Sequence, residues 1–191
     1  GGGYGIKYLP GQNPIQYDRY IKSISSVVKG VCRERGIKQP FIIIEPGRSI
    51  VASAGITLYK VGSIKDIKCV RKYVAVDGGM TDNPRYALYQ SEYDAVLANR
   101  PDAAKVEKVA IAGKCCESGD LLAKEIIMPE IRKDDILAVL ATGAYNYSMS
   151  SNYNRIPRPP VVFVRNGGSR IVVKREDYED IVRNDIIPVD L

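Results

Sequence analysis

The stretch Ile42-Ile43-Ile44-Glu45-Pro46-Gly47-Arg48-Ser49 decides how this chain is to be read. An apolar run ends on a carboxylate, turns through Pro-Gly and delivers an arginine where a helix should begin. The pattern predicts a short buried strand over Phe41 to Ile44 and a short helix over Ser49 to Ala54. Two opposite charges, Glu45 and Arg48, are thereby set at the C-terminal end of a strand. Parallel α/β folds keep their active sites there, because strand ends and helix N-termini converge on one edge.

Upstream, Gly1-Gly2-Gly3-Tyr4-Gly5 is a glycine-dense loop. Such a loop can aim several backbone N–H groups at a phosphate, or it can be a plain turn. It is not a dinucleotide fingerprint, since no strand precedes it and no helix follows at once. Residues 14 to 36 read as a helix. Ile21, Ile24, Val27, Val28, Val31 and Cys32 recur on one face, which is expected to be buried. Pro14 and Asp18 suit its start, and Lys29, Arg33, Arg35 and Gly36 its end. Loop, helix, strand, turn and helix in this order make a piece of parallel α/β structure, compatible with part of a (β/α) barrel. The piece is too small to close a barrel.

Downstream of Gly55 the texture changes. Ile56 to Val61, Ile67 to Asp77, Val106 to Ala112, Asp120 to Ile126, Ile136 to Leu140 and Val161 to Val164 are short β-prone runs divided by Gly, Asp, Asn and Pro. That habit predicts an antiparallel β-sandwich or barrel. The expected division is therefore residues 1–55, the barrel end, and residues 56–191, a C-terminal β-domain. A small helix is expected over Glu176 to Arg183.

Composition narrows the partners. The 191 residues are 45% hydrophobic and 26% charged, ordinary for a globular protein. The net charge of +6 is spread among acids, as in Lys65-Asp66 and Arg132-Lys133-Asp134-Asp135, with no basic run interleaved with aromatics. Nucleic acid is thus not an expected partner. No apolar run has the length of a membrane span, and no signal peptide is recognisable. Cys32, Cys69, Cys115 and Cys116 lack zinc-type spacing, so no metal site is expected, and a reducing cytoplasmic setting fits them best. Histidine is absent, which removes the commonest general base. The chain starts without Met, in the middle of a motif.

Three further stretches carry chemistry. Asp77-Gly78-Gly79-Met80-Thr81-Asp82-Asn83-Pro84-Arg85 leads to Tyr89 four residues on. If that segment is helical, Arg85 and Tyr89 share a face and could hold a carboxylate; otherwise Arg85 is a solvated turn residue. Cys115-Cys116-Glu117-Ser118-Gly119-Asp120 sets a thiol beside a carboxylate, as proton donor and ammonium partner or as two structural cysteines. No histidine is present to activate a cysteine nucleophile. Gly143-Ala144-Tyr145 offers a hydroxyl to a phosphate or a ring to a planar group.

Taken in order, Gly-Gly-Gly-aromatic-Gly, Glu-Pro-Gly-Arg, Asp-Gly-Gly-Met-Thr-Asp-Asn-Pro-Arg, Cys-Glu-Ser-Gly-Asp and Gly-Ala-Tyr resemble the C-terminal half of the diaminopimelate decarboxylases. These are pyridoxal-phosphate enzymes of the alanine-racemase-like barrel class; the resemblance spans essentially the whole chain and implies that residues 1–55 are the C-terminal end of a (β/α)8 TIM-like barrel. It implies the conversion of meso-diaminopimelate to L-lysine and CO2, the last step of lysine biosynthesis. Gly2 and Gly3 would bind the pyridoxal 5'-phosphate phosphate group through backbone N–H groups. Glu45, within Glu45-Pro46-Gly47-Arg48, would keep the pyridine nitrogen protonated. Arg48 would lie near the phosphate and a substrate carboxylate, and Tyr145 would reach the phosphate and the cofactor edge. Arg85 and Tyr89 would grip the distal carboxylate, Glu117 the distal ammonium, and Cys116 would donate the proton. The resemblance also implies a homodimer in which Cys116 and Glu117 complete the other subunit's site.

The lysine that carries the cofactor in this family belongs to the N-terminal part, and no lysine here stands in a matching motif. The chain alone is therefore expected to be inactive, one part of a longer enzyme. Two other readings remain at this stage. One is a related decarboxylase of another basic amino acid or carboxylated polyamine. The other is a non-catalytic β-domain that binds or regulates a homologous enzyme. A barrel racemase would not call for Arg85, Cys116 and Glu117 together.

Overall fold

The computed structural model describes residues 3–189; Gly2, expected at the phosphate, lies outside the described residues. The first element, α1 (Tyr17–Arg35), forms where the apolar spacing predicts it. Gly36 ends it at φ 60°, a left-handed turn that lets the Ile37 N–H donate to the Cys32 carbonyl at 3.0 Å. The expected burial of its apolar face does not hold. Only Cys32 is buried, while Ile21, Ile24, Val27 and Val31 are exposed, because no helix or strand among the described residues covers that face.

The strand expected over Phe41 to Ile44 is a second correction. The segment is extended but unpaired, and Phe41 is 99% exposed. A strand exists through a neighbour that takes its backbone N–H and C=O groups. None of the described strands lies beside this one. The helix that follows is present as α2 (Arg48–Val51), continued by a 3-10 turn over Ala52–Ala54.

From residue 57 the chain builds a six-stranded sheet from β1 (Thr57–Ile67), β2 (Arg71–Val76), β3 (Ala95–Leu97), β4 (Glu107–Ala112), β5 (Leu121–Met128) and β6 (Ile136–Val139). The strand order is β3-β6-β1-β2-β4-β5. A short helix, α3 (Arg85–Tyr89), sits between β2 and β3. The expectation of an antiparallel sheet holds for every pair but one: β2 and β4 run parallel, with Val74 opposite Ile111. The excursion through α3 and β3 gives the chain the length a parallel return requires. A separate hairpin, β7 (Val161–Arg165) with β8 (Gly168–Val173), and the helix α4 (Tyr178–Val182) complete the described chain. The strands β3 and β8 are not among those expected from the sequence.

The core lies on one face of the sheet. In β1 the period-two alternation buries Tyr59 and Val61 and exposes Leu58 and Lys60. Leu97, Ile111, Met128 and Leu137 close the same layer, all essentially without solvent contact. Each fully buried aliphatic side chain of this kind stabilises the fold by about 1.5–3 kcal/mol.

One backbone crossing ties α2 to the sheet. The Gly143 N–H donates to the Ala52 carbonyl and the Thr142 N–H to the Gly55 carbonyl, both at 2.9 Å. The chains approach so closely that a Cβ on Gly143 would overlap the Val51 carbonyl oxygen, and one on Gly55 the Gly143 backbone. The turn after β6 is thereby held against the helix that opens with Arg48. Gly143→Ala is expected to destabilise the protein by about 3 kcal/mol, because rigid backbone and not a flexible side chain must give way. Urea unfolding of the protein carrying this chain, followed by circular dichroism, measures it.

Candidate active site

Because β2 and β4 are parallel, the loops that leave their C-terminal ends emerge side by side. One holds Asp77 to Pro84 and the other Gly113 to Asp120. The buried Asp120 carboxylate joins them, accepting the Met80 N–H and the Cys115 N–H, each at 2.7 Å. Gly79 and Gly113 lie against it, and a Cβ on Gly79 would come within 2.5 Å of its oxygen. In the first loop the Tyr59 hydroxyl and the Gly79 N–H donate to Asp82. Burial pushes the Asp82 carboxyl above the usual carboxylate range despite these bonds. The Asn83 N–H donates to the Gly79 carbonyl at 2.9 Å, turning the chain into α3 with Arg85 as its first residue.

Arg85 is 7% exposed. Its Nη1 donates to the Tyr93 hydroxyl at 2.8 Å and the Tyr8 hydroxyl at 3.0 Å, and its Nη2 to Ser91 Oγ at 3.4 Å. Its guanidinium carbon also lies 5.4 Å from the centre of the Tyr145 ring, and that of Arg48 lies 5.5 Å from the same ring. Two cations thus share one aromatic ring, held at a residue with φ 71°. Gly47 adjoins the Tyr145 hydroxyl, which a Cβ there would reach at 4.0 Å. Among the described residues no carboxylate is paired with Arg85; its hydrogen-bond partners are neutral hydroxyls. Burial works against its charge, yet the hydroxyls of Tyr8 and Tyr93 more than offset this and the pKa is raised. A buried cation without a counter-charge is a costly arrangement that an anionic ligand relieves.

Cys116 and Glu117 stand apart from this cluster. Cys116 is exposed, and its N–H donates to Asn154 Oδ1 at 2.7 Å. Glu117 accepts the Gly119 N–H at 3.2 Å and the Tyr153 hydroxyl at 3.4 Å. Among the described residues no hydrogen bond or ion pair joins this turn's Cys116 or Glu117 to Arg48, Arg85 or Tyr145. The neighbouring Cys115 is half-buried, and burial, reinforced by Asp120, pushes its thiol up to about 11.

The structure therefore brings Gly47, Arg48, Arg85 and Tyr145 together. Tyr89 lies four residues after Arg85 on α3, but it is 63% exposed at the helix end. Gly3 lies in the left-handed region at φ 60° with open space beside it. Glu45 and Pro46 lead directly into the Gly47 turn. Tyr8 and Tyr93 are the residues that sequence reasoning passes over. They approach Arg85 from 77 and 8 positions away, and among 13 tyrosines no spacing singles them out.

The mixed sheet that carries these loops belongs to a known class of domain. The model of the pyridoxal-dependent decarboxylase C-terminal sheet domain matches residues 16–143, and the chain belongs to this family. The diaminopimelate decarboxylase of Bacillus subtilis (strain 168) is 56% identical over 186 residues, which cover 97% of this chain and 42% of that protein. A crystal structure of the M. jannaschii diaminopimelate decarboxylase superposes with a TM-score of 0.88 at 33% identity, over 97% of this chain and 42% of that one. The same enzyme in co-complex with L-lysine gives 0.87 at 33% identity, over 96% and 41%. The chain thus spans about two-fifths of the length of these relatives.

The environment of the two adjacent thiols yields a pH prediction. Alkylation of the native protein with iodoacetamide at pH 8 is expected to modify exposed Cys116 well before Cys115. The Cys115 rate is expected to climb about tenfold per pH unit until near 11, because only the thiolate reacts. The folded thiol holds its proton more tightly than an unfolded one, so its contribution to stability is present below about 9 and lost as pH rises towards 11. Peptide mapping by mass spectrometry separates the two sites.

Proposed function

We propose that this chain is the C-terminal part of an enzyme that decarboxylates meso-diaminopimelate to L-lysine, with pyridoxal 5'-phosphate as cofactor. The observation that carries this reading is Arg85, a buried guanidinium held by hydroxyls and lacking a carboxylate partner among the described residues. A substrate bearing a second carboxylate far from its reacting carbon supplies the missing charge. The relatives named diaminopimelate decarboxylase, one of them bound to L-lysine, support the same substrate class.

The donors present fit the cofactor's chemistry. Two arginines, a tyrosine hydroxyl and a glycine loop suit an anionic, planar group. When bound, pyridoxal phosphate supplies the electron sink that lets a carboxylate leave as CO2. The chain's own residues do the rest. Gly2 and Gly3 offer backbone N–H groups to the phosphate, while Arg48 and Tyr145 hold its edge. Glu45 keeps the ring nitrogen protonated. Arg85, with Tyr89, binds the distal carboxylate and Glu117 the distal ammonium, fixing the substrate before reaction. Cys116 Sγ delivers the proton to the carbon that lost CO2.

Residues 1–55 close a barrel whose other strands, with the lysine that carries the cofactor, come from a further N-terminal part. The unpaired segment 41–44 and the bare face of α1 support this. Cys116 and Glu117 act in the other subunit's site of a homodimer, which agrees with their exposed turn standing apart from Arg85. The enzyme works in the cytoplasm, where four free cysteines are stable, and no helix among the described residues is long and apolar enough to cross a membrane.

The test is product analysis. The complete polypeptide, loaded with cofactor, is expected to form L-lysine and CO2 from meso-diaminopimelate and to leave ornithine and carboxylated polyamines largely untouched. Arg85→Lys is expected to lower kcat/KM at least a hundredfold, since a point charge replaces a planar fork. Residues 1–191 alone should show no turnover. Preference for ornithine or a polyamine, or turnover by the 191-residue species, overturns the reading; inactivity of the loaded complete polypeptide would favour a non-catalytic domain.

A further inference from the structure

Arg85 is held by more of the fold than its burial alone explains. Both N–H groups of Nη1 are engaged, one by the Tyr8 hydroxyl at 3.0 Å and one by the Tyr93 hydroxyl at 2.8 Å. Nη2 gives one N–H to Ser91 Oγ at 3.4 Å. Of the five N–H groups of a guanidinium, this leaves Nε–H and one on Nη2 to meet a carboxylate on that side. The tyrosines thus select which edge of Arg85 faces a ligand.

Each tyrosine is itself fixed. The Tyr8 N–H donates to Gln12 Oε1 at 2.8 Å, and its carbonyl accepts the Asp94 N–H at 3.2 Å. The rings of Tyr8 and Tyr93 meet edge to face at 5.2 Å. The buried Tyr93 hydroxyl donates to Asn146 Oδ1 at 3.4 Å, leaving its lone pairs to Arg85. Asn146 follows Tyr145, whose ring Arg85 touches. The chain of bonds therefore runs from the end of the glycine loop, through Arg85, to the tyrosine turn after β6.

We propose that Tyr8 and Tyr93 are positioning residues for the substrate's distal carboxylate, acting through Arg85. This rests on the decarboxylase reading above. Because Tyr8 follows the glycine loop by three residues, the device sets how far the distal carboxylate stands from the phosphate-binding end of the site. It is a determinant of substrate length.

The test uses the complete, cofactor-loaded enzyme with Tyr8→Phe, Tyr93→Phe and Arg85→Lys, singly and combined. Each Phe variant is expected to raise KM for meso-diaminopimelate about tenfold, the loss of one hydrogen bond to a charged group, with kcat within about threefold of the parent. In the Arg85→Lys background the same changes should add little, because the group they orient is gone. A crystal structure of Tyr93→Phe should show the Arg85 guanidinium displaced from the Tyr145 ring. An unchanged KM with Arg85 unmoved overturns the proposal, as does an equal rise in the Arg85→Lys background, which marks a merely structural role. If the parent does not turn over meso-diaminopimelate, the decarboxylase reading has failed. The Arg85 position in Tyr93→Phe then still decides whether the tyrosines hold it.

Discussion

The Asp120 carboxylate is the point on which the functional half of this structure turns. Two loops leave the parallel strands β2 and β4 at the same edge, and neither has regular structure to stiffen it. One buried carboxylate accepts an N–H from each, Met80 from the first and Cys115 from the second. Hydrogen bonds to a charged group are worth about 1.5–3 kcal/mol each, so the pair offsets part of what ordering the two loops costs. Gly79 and Gly113 leave the room the carboxylate occupies. Everything downstream inherits this geometry: the turn into α3 that places Arg85, and the turn that presents Cys116 and Glu117.

The second constraint is the crossing of Gly143 over Gly55 and Val51. A helix of four residues has no stability of its own, since the first turn costs more conformational freedom than one hydrogen bond returns. α2 holds its shape because the turn after β6 is bonded to its end. Arg48 and Tyr145, from segments nearly a hundred positions apart, are neighbours for that reason.

The sequence carries strong signals wherever the decision is local. α1, α2, α4 and most of the strands lie within a few residues of where apolar spacing and turn chemistry put them, whereas a helix at Arg85 is one of two readings the sequence leaves open. The motifs that resemble the decarboxylases contain Arg48, Arg85 and Tyr145, and the fold gathers these three. What escaped was decided at a distance. The parallel pairing of β2 with β4 leaves no mark in either strand, because alternation looks the same in both directions. Burial of Ile21 or Phe41 was expected from their apolar character, but burial belongs to a residue and its cover together. Tyr8 and Tyr93 carry no pattern at all; only the folded chain brings them to one guanidinium.

The unpaired segment is also bounded in a way that matters whenever it stands uncovered. Four consecutive apolar, β-prone residues in the open are a template for sticking to identical copies. Here Pro40 closes the run on one side and Glu45-Pro46 on the other. Proline has no N–H to give to a ladder, and a charge beside it resists stacking. Any strand nucleated there is limited to about five residues, too short to propagate readily. The residues that end the strand at the site thus also limit how far it could pair with identical copies whenever it stands uncovered.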